Sequence, residues 1–166
     1  MGAIKRPKLD ISKTRLEWLF DIIGYIALAS IVVILVLNWG KLPDEVPVHF
    51  GVNGEADRWG SKFELLILPG IAILLTIFMT VLEKRPETHN FPSQFNESNA
   101  EAFYTNSRQT MNYIKNIINV LFAYTVYHTV DSALGADTKL GWPFYVLLAL
   151  IFIVIIWKMV KMNKIK

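Results

Sequence analysis

The chain has 166 residues, enough for one domain. Apolar side chains make up 53% of it and the mean hydropathy is positive, which excludes an ordinary soluble domain and points to an integral membrane protein. There is no cysteine, so disulfides, thiolate metal sites, iron–sulfur clusters and a cysteine nucleophile are excluded. The net charge of +3 comes from basic residues at the flanks of apolar segments, which is not the pattern of a nucleic-acid surface.

Residues 1–15 are polar and carry Lys5, Arg6, Lys8, Lys13 and Arg15. The apolar run behind them is too long for a signal peptide and has no small-residue cleavage site, so a retained first helix is expected over residues 18–38. Trp18 and Trp39 bracket it as interfacial anchors. Asp21, near its start, is expected to reach lipid headgroups or pair with a nearby base.

Residues 42–62 form the densest stretch of local signals. Pro43 and Pro47 make its start extended. Val48, Phe50 and Val52 alternate with His49 and Gly51, a strand-like period. Asn53-Gly54 predicts a two-residue turn, because both residues tolerate φ > 0. A compact hairpin is expected between two apolar helices, hence at a membrane surface.

The second helix is expected over residues 63–82, about the span of a bilayer core. Ser61 and Glu64 have capping-box spacing at its start, and Pro69-Gly70 predicts a kink or a half-helix. Residues 83–111 are a polar loop that Pro86 and Pro92 keep extended. Ser98 and Glu101 again have capping-box spacing, so a helix should begin near Asn99 and run into the third membrane segment, residues 113–130. That segment is the least hydrophobic. Its Lys115, Asn116 and Asn119 could line a polar interior, with the snorkelling of Lys115 as the plain alternative. The last segment, residues 142–160, is almost purely apolar and leads into Lys158, Lys161, Lys164 and Lys166.

These four segments predict an all-α, four-helix transmembrane bundle that forms a single domain over residues 1–166. Lysines and arginines number 13 on the side that carries both termini and 4 on the other, counted as 5 + 4 + 4 against Lys41, Arg58, Lys62 and Lys139. The positive-inside rule then places both termini in the cytoplasm and the 42–62 loop outside.

Leu42-Pro43, Pro47, His49, Gly54, Asp57 and Trp59-Gly60-Ser61-Lys62 resemble the signature loop, LPxxxPxHFxxxGxxDxWGSK, of a bacterial membrane domain of unknown function. The same domain stands at the front of SdpI-type immunity proteins. A looser likeness follows in Asn90-Phe91-Pro92 and Asn99-Ala100-Glu101. The resemblance implies a bacterial cell-membrane protein. It makes Pro47, His49, Gly54, Asp57, Trp59 and Lys62 candidate ligand contacts. SdpI-type members protect a cell from a secreted toxin peptide and signal to a membrane-tethered repressor, so it also implies immunity or sensing towards an antimicrobial peptide. This chain is shorter than those members.

The residues themselves leave alternatives open. His49 could serve recognition, register external acidity, or hydrogen-bond the hairpin backbone. Asp57 could pair with Arg58 or Lys62 and pin the loop, or these charges could meet a peptide or a lipid headgroup. Trp59 fits an interfacial anchor. His128 and Asp131 are three apart on one helical face. If they met His49 and Asp57 they could hold zinc or another divalent ion, as in a metal-dependent membrane enzyme; otherwise they are an interfacial cap. His89 reads as a solvated loop residue. No nucleophile–base pair, phosphate loop or HExxH motif is present, and no cofactor fingerprint. The expected partners are the bilayer, a peptide ligand or a membrane protein, and a second copy of the chain. A role as a subunit of a larger transporter or signalling complex also fits the polar third helix.

Overall fold

A computed structural model describes residues 6–136 and 139–166. Lys5, counted above among the N-terminal cations, lies outside the described residues. The elements run α1 (Arg15–Asn38), β1 (Glu45–Phe50), β2 (Ala56–Ser61), a 3-10 turn (Lys62–Leu66), α2 (Ile67–Glu83), two short 3-10 turns (Pro86–Thr88 and Glu97–Asn99), α3 (Ala100–Ala133) and α4 (Gly141–Asn163).

Local sequence explains most boundaries. Thr14 caps α1, and Glu17 closes a capping box on it, so the helix starts three residues before the expected one. Ser61 and Glu64 form the expected box, but it opens a 3-10 turn before the α-helix proper. Pro69 falls in the first turn of α2, so its missing N–H lies where the 3-10 turn gives way to α-helix. The cap ahead of α3 differs from the expectation. Asn96 accepts from the backbones of Ser98 and Asn99, and Asn99 closes the box in place of the Ser98–Glu101 pair. Asparagine at residue 96 reaches the free N–H groups first, and the Ser98 hydroxyl is spent on Asn96.

Three helical stretches, Arg15–Asn38, Lys62–Glu83 and Gly141–Asn163, are long and apolar enough to cross a membrane. Their large apolar side chains face outward: Ile26 and Val36 on α1, Leu74 and Phe78 on α2, Phe152 and Ile156 on α4 are all exposed. In water such surface would drive aggregation, whereas lipid covers it at no cost.

α3 is the central post. Its 34 residues span about 51 Å. It packs against α1, α2, α4 and β1, while α1 and α2 touch only lightly. Because most of the α3 surface meets protein, it carries polar residues that the lipid-facing helices cannot.

The interior has three layers along the bundle axis. At the hairpin end, Ile31, Leu35, Val46, Leu65, Ala72, Val126 and Val130 form an apolar core. At the end where the termini lie, Phe91, Phe95, Phe103 and Tyr104 form an aromatic knot against Ile11, Met162 and Ile165. Between them sits a belt of buried charge and amide groups from α1, α2 and α3.

Candidate functional site

The hairpin is antiparallel, with Glu45 opposite Ser61, Pro47 opposite Trp59 and Phe50 opposite Ala56. Register shifts on both sides of His49 mark irregular pairing there. The turn is not the expected two-residue one. Gly54 N–H donates to Gly51 O at 2.8 Å and Gly51 N–H to Glu55 O at 2.9 Å, giving a three-residue loop of Val52, Asn53 and Gly54. Only Gly54 is left-handed, with φ +78, while Asn53 keeps a negative φ. This is the turn-plus-bulge solution, which needs one left-handed residue instead of two.

Gly54 is also where the hairpin docks. Leu140 N–H donates to Gly54 O at 3.0 Å, and a Cβ on Gly54 would lie 3.2 Å from the Leu140 nitrogen. Lys139 and Glu55 form an ion pair beside this contact. Lys139 holds the Glu55 carboxyl below its usual range. Tyr145 at the start of α4 donates to Val52 O at 2.7 Å. The hairpin is therefore clasped by the α3–α4 connection and α4.

Its outer surface carries the remaining candidates. His49 Nδ1 lies 2.5 Å from Asp57 Oδ1, and both side chains are at least half exposed. The expected Asp57–Arg58 and Asp57–Lys62 pairs are absent from this arrangement. Arg58 instead reaches Glu64 at 3.9 Å and Lys62 reaches Asp44 at 3.1 Å. The register sets His49 opposite Arg58, and the irregular pairing there brings the side chain of Asp57, one residue earlier on β2, within reach of the imidazole. Trp59 is exposed opposite the buried Pro47. Beneath the hairpin a cleft of about 250 Å³ runs between Pro47, Val48, Leu65, Leu68 and Val126, with Arg58 and Glu64 on its wall.

His128 and Asp131 do not extend this surface. The His128 ring packs on Tyr124 at 4.4 Å and Tyr127 at 5.3 Å, and its Nδ1 is buried without a hydrogen-bond partner. Asp131 lines a separate cleft with Ile34, Asn38 and Leu134. Among the described residues, no three or more His, Cys, Asp or Glu side chains are grouped as a metal ion would need. His49, Asp57, His128 and Asp131 are thus not gathered into one set.

A second polar site lies in the middle layer, and only part of it was expected. Asp21 does pair with a base, in fact with two. Lys13 Nζ lies 2.6 Å from Asp21 Oδ2 and 2.6 Å from Glu83 Oε1. Lys115 Nζ lies 3.0 Å from Asp21 Oδ1 and 2.7 Å from Glu83 Oε2. Lys115 is therefore interior and does not snorkel. Burial disfavours the charge on Lys13, but the hydrogen bonds it donates to the two carboxylates, with their negative charge, outweigh it and raise its pKa. Asn112 Nδ2 donates to Asp21 and Glu83, both at 2.9 Å, and Asn116 Nδ2 donates to Asp21 at 2.9 Å. One step further in, Thr76 donates to Asn119 at 3.0 Å.

Beside this square, Arg108 grips Glu17 through Nε at 2.9 Å and Nη2 at 3.2 Å, and its guanidinium also donates to Ile11 O and Ser12 O. Glu17, Glu83 and Arg108 were not singled out in the sequence. One available signal was the spacing of Arg108, Asn112, Lys115, Asn116 and Asn119, which are 4, 3, 1 and 3 apart and so share one face of a helix. His89 is likewise not a solvated loop residue. Its Nε2 bonds Leu82 O at 3.1 Å and its Nδ1 bonds Ser107 Oγ at 2.5 Å, which ties the α2–α3 connection to both helices.

Residues 25–73 match the family described as Domain of unknown function (DUF1648). That interval begins inside α1, takes in the hairpin and ends in α2. A curated relative, described as an uncharacterized protein of Archaeoglobus fulgidus, is 38% identical over 101 residues, covering 56% of this chain and 52% of its own. The match thus spans about half the length of that relative. No solved structure matches the chain.

Proposed function

We propose that this membrane protein spans the bilayer four times with both termini in the cytoplasm, and that its hairpin end captures an extracytoplasmic or lipid-borne ligand such as an antimicrobial peptide. The charge count, 13 cations against 4, supports the orientation. α3 supplies the fourth span, and its polar face is covered by protein on all sides.

The observation that carries the binding reading is the clasped hairpin. Backbone and side-chain bonds from Leu140, Lys139 and Tyr145 hold it in place, yet His49, Asp57 and Trp59 remain exposed on it. A site held before the ligand arrives loses less entropy on binding. The exposed Asp57 suits a cationic group, Trp59 suits an amphipathic one, and the cleft below is lined mainly by apolar side chains. These are the features of a membrane-active peptide.

The test is to express the intact protein in a susceptible bacterium and challenge it with an amphipathic cationic peptide. The intact protein should raise the inhibitory concentration, and a His49→Ala, Asp57→Ala double variant made to the same level should lose the gain. Equal resistance of the two strains overturns the reading.

A further inference from the structure

We propose that Asp21 and Glu83 form a binding site for a compact monovalent cation, and that Lys13 is a tethered occupant which such a cation displaces. Four charged groups meet here, two carboxylates and two ammonium groups, with N–O separations of 2.6 to 3.0 Å. The two lysines are held differently. Lys115 belongs to α3, is 1% exposed and also contacts Thr80 Oγ1 at 3.4 Å. Lys13 belongs to the non-helical segment before α1, and its side chain is 26% exposed. It lies in the wall of a cleft of about 210 Å³ that Asp10, Thr80, Glu83, Lys84 and Arg108 also line. Lys13 can therefore leave and return without moving a helix.

Charge counting sets the ligand class. Without Lys13, the two carboxylates keep only Lys115, and one negative charge is left buried. An uncompensated buried charge is strongly unfavourable, so the vacated place demands one positive charge. A divalent ion would leave an excess of one in the opposite sense. The cations near the mouth do not forbid entry, because Arg108 is taken by Glu17 and Asp10 faces the same cleft as Lys84.

The donors are already present. Displacing Lys13 frees Asp21 Oδ2 and leaves Glu83 Oε1 with only its bond from Asn112 Nδ2; each oxygen lies 2.6 Å from the Lys13 ammonium. Asn112 is fully buried, and its Oδ1 has no hydrogen-bond partner. Its Nδ2 lies between the two carboxylates. A half-turn of that amide gives up its bonds to Asp21 and Glu83 and turns Oδ1 toward the carboxylates, an arrangement that only a cation among the three oxygens makes favourable. The orphaned oxygen has no role in the lysine-occupied form and acquires one when a cation replaces the lysine. The segment that carries Lys13 is itself fixed by the Arg108 bonds to Ile11 O and Ser12 O, so site occupancy and the docking of the N-terminal segment are linked.

The test uses the full chain purified in mild detergent. In Lys13→Ala, about 100 mM methylammonium chloride should raise the melting temperature by about 3 °C over equimolar choline chloride, which is too bulky and lacks N–H donors. Lys13→Ala combined with Glu83→Gln should show no such rise. Equal melting temperatures of Lys13→Ala in the two salts overturn the site. The exchange is tested on the wild-type chain, so it stands whether or not that variant folds. Acetylation of Lys13, followed by mass spectrometry, should run about twofold faster in sodium chloride than in equimolar choline chloride. Equal rates overturn the displacement.

Discussion

Arg108 shows most directly what the middle layer costs and contributes. Its guanidinium and the Glu17 carboxylate are both almost fully buried, and they meet in two-pronged geometry. Taking either charge out of water is expensive, and the pair is tolerable only because each neutralises the other. Thr14 adds its N–H and hydroxyl to Glu17 Oε2, which brings that oxygen three donors. Arg108→Met leaves Glu17 charged and alone, so it should lose about 3–5 kcal/mol of stability in a detergent denaturation series. Glu17→Gln with Arg108→Met should recover much of that loss, since the lone charge is gone; a double variant as unstable as the single one would refute the pairing argument. Gly24 belongs to the same contact. A Cβ there would sit 2.0 Å from Asn116 Oδ1, so α1 approaches the amide row of α3 only because residue 24 has no side chain.

At the scale of elements, the connection between α2 and α3 is the least expected piece. Its polar composition suggests a solvated loop, yet Arg6, His89, Phe91 and Phe95 fold it onto the helix ends. Arg6 donates to Glu87 O and His89 O and lies 5.8 Å from the Phe91 ring centre. The hydrogen bonds of His89 fit the neutral ring: Nε2–H donates to Leu82 O, and Nδ1 accepts from the Ser107 hydroxyl. Burial lowers the His89 pKa, and the Leu82 carbonyl and Glu87 oppose this without cancelling it. Because the folded state binds the proton more weakly, the unfolded chain holds more protons at acidic pH. The contribution of His89 is therefore complete above the ordinary histidine value of about 6.5 and is lost as pH falls through the lowered folded value. The melting temperature in detergent should drop between about pH 7.5 and about pH 5 in the wild type, and His89→Gln should flatten that slope. An unchanged slope in the variant would assign the acid sensitivity to other groups.

For the whole molecule, the arrangement follows from one division of labour. α1, α2 and α4 turn apolar surface outward, and α3 gathers the polar side chains where protein surrounds it. This puts the hairpin at one end of the bundle and both described termini at the other. The proposed four-span topology makes a direct prediction, and the absence of native cysteine makes it simple to read. A single cysteine at Asn53 should react with a membrane-impermeant maleimide added to intact cells, whereas one at Gln94 should react only after the membrane is opened. The reverse pattern, or labelling of both from outside, would refute the orientation.

The sequence determined what depends on neighbours along the chain. Apolar length set the three lipid-facing helices, capping residues set the starts at Thr14 and Ser61, and alternation with Asn53-Gly54 set a hairpin. Tertiary structure decided what depends on neighbours across space. Asp57 chose His49 over Arg58 and Lys62 because the irregular pairing around His49 brings the two side chains together across the hairpin. Val52 and Asn53 kept negative φ because one left-handed glycine suffices for the turn. Lys115 became interior, and Glu17, Glu83 and Arg108 became partners, because charges 91 and 32 residues apart meet only when α3 packs between α1 and α2. A charge written in a sequence carries its sign but not its counter-ion, and burial makes the counter-ion decisive.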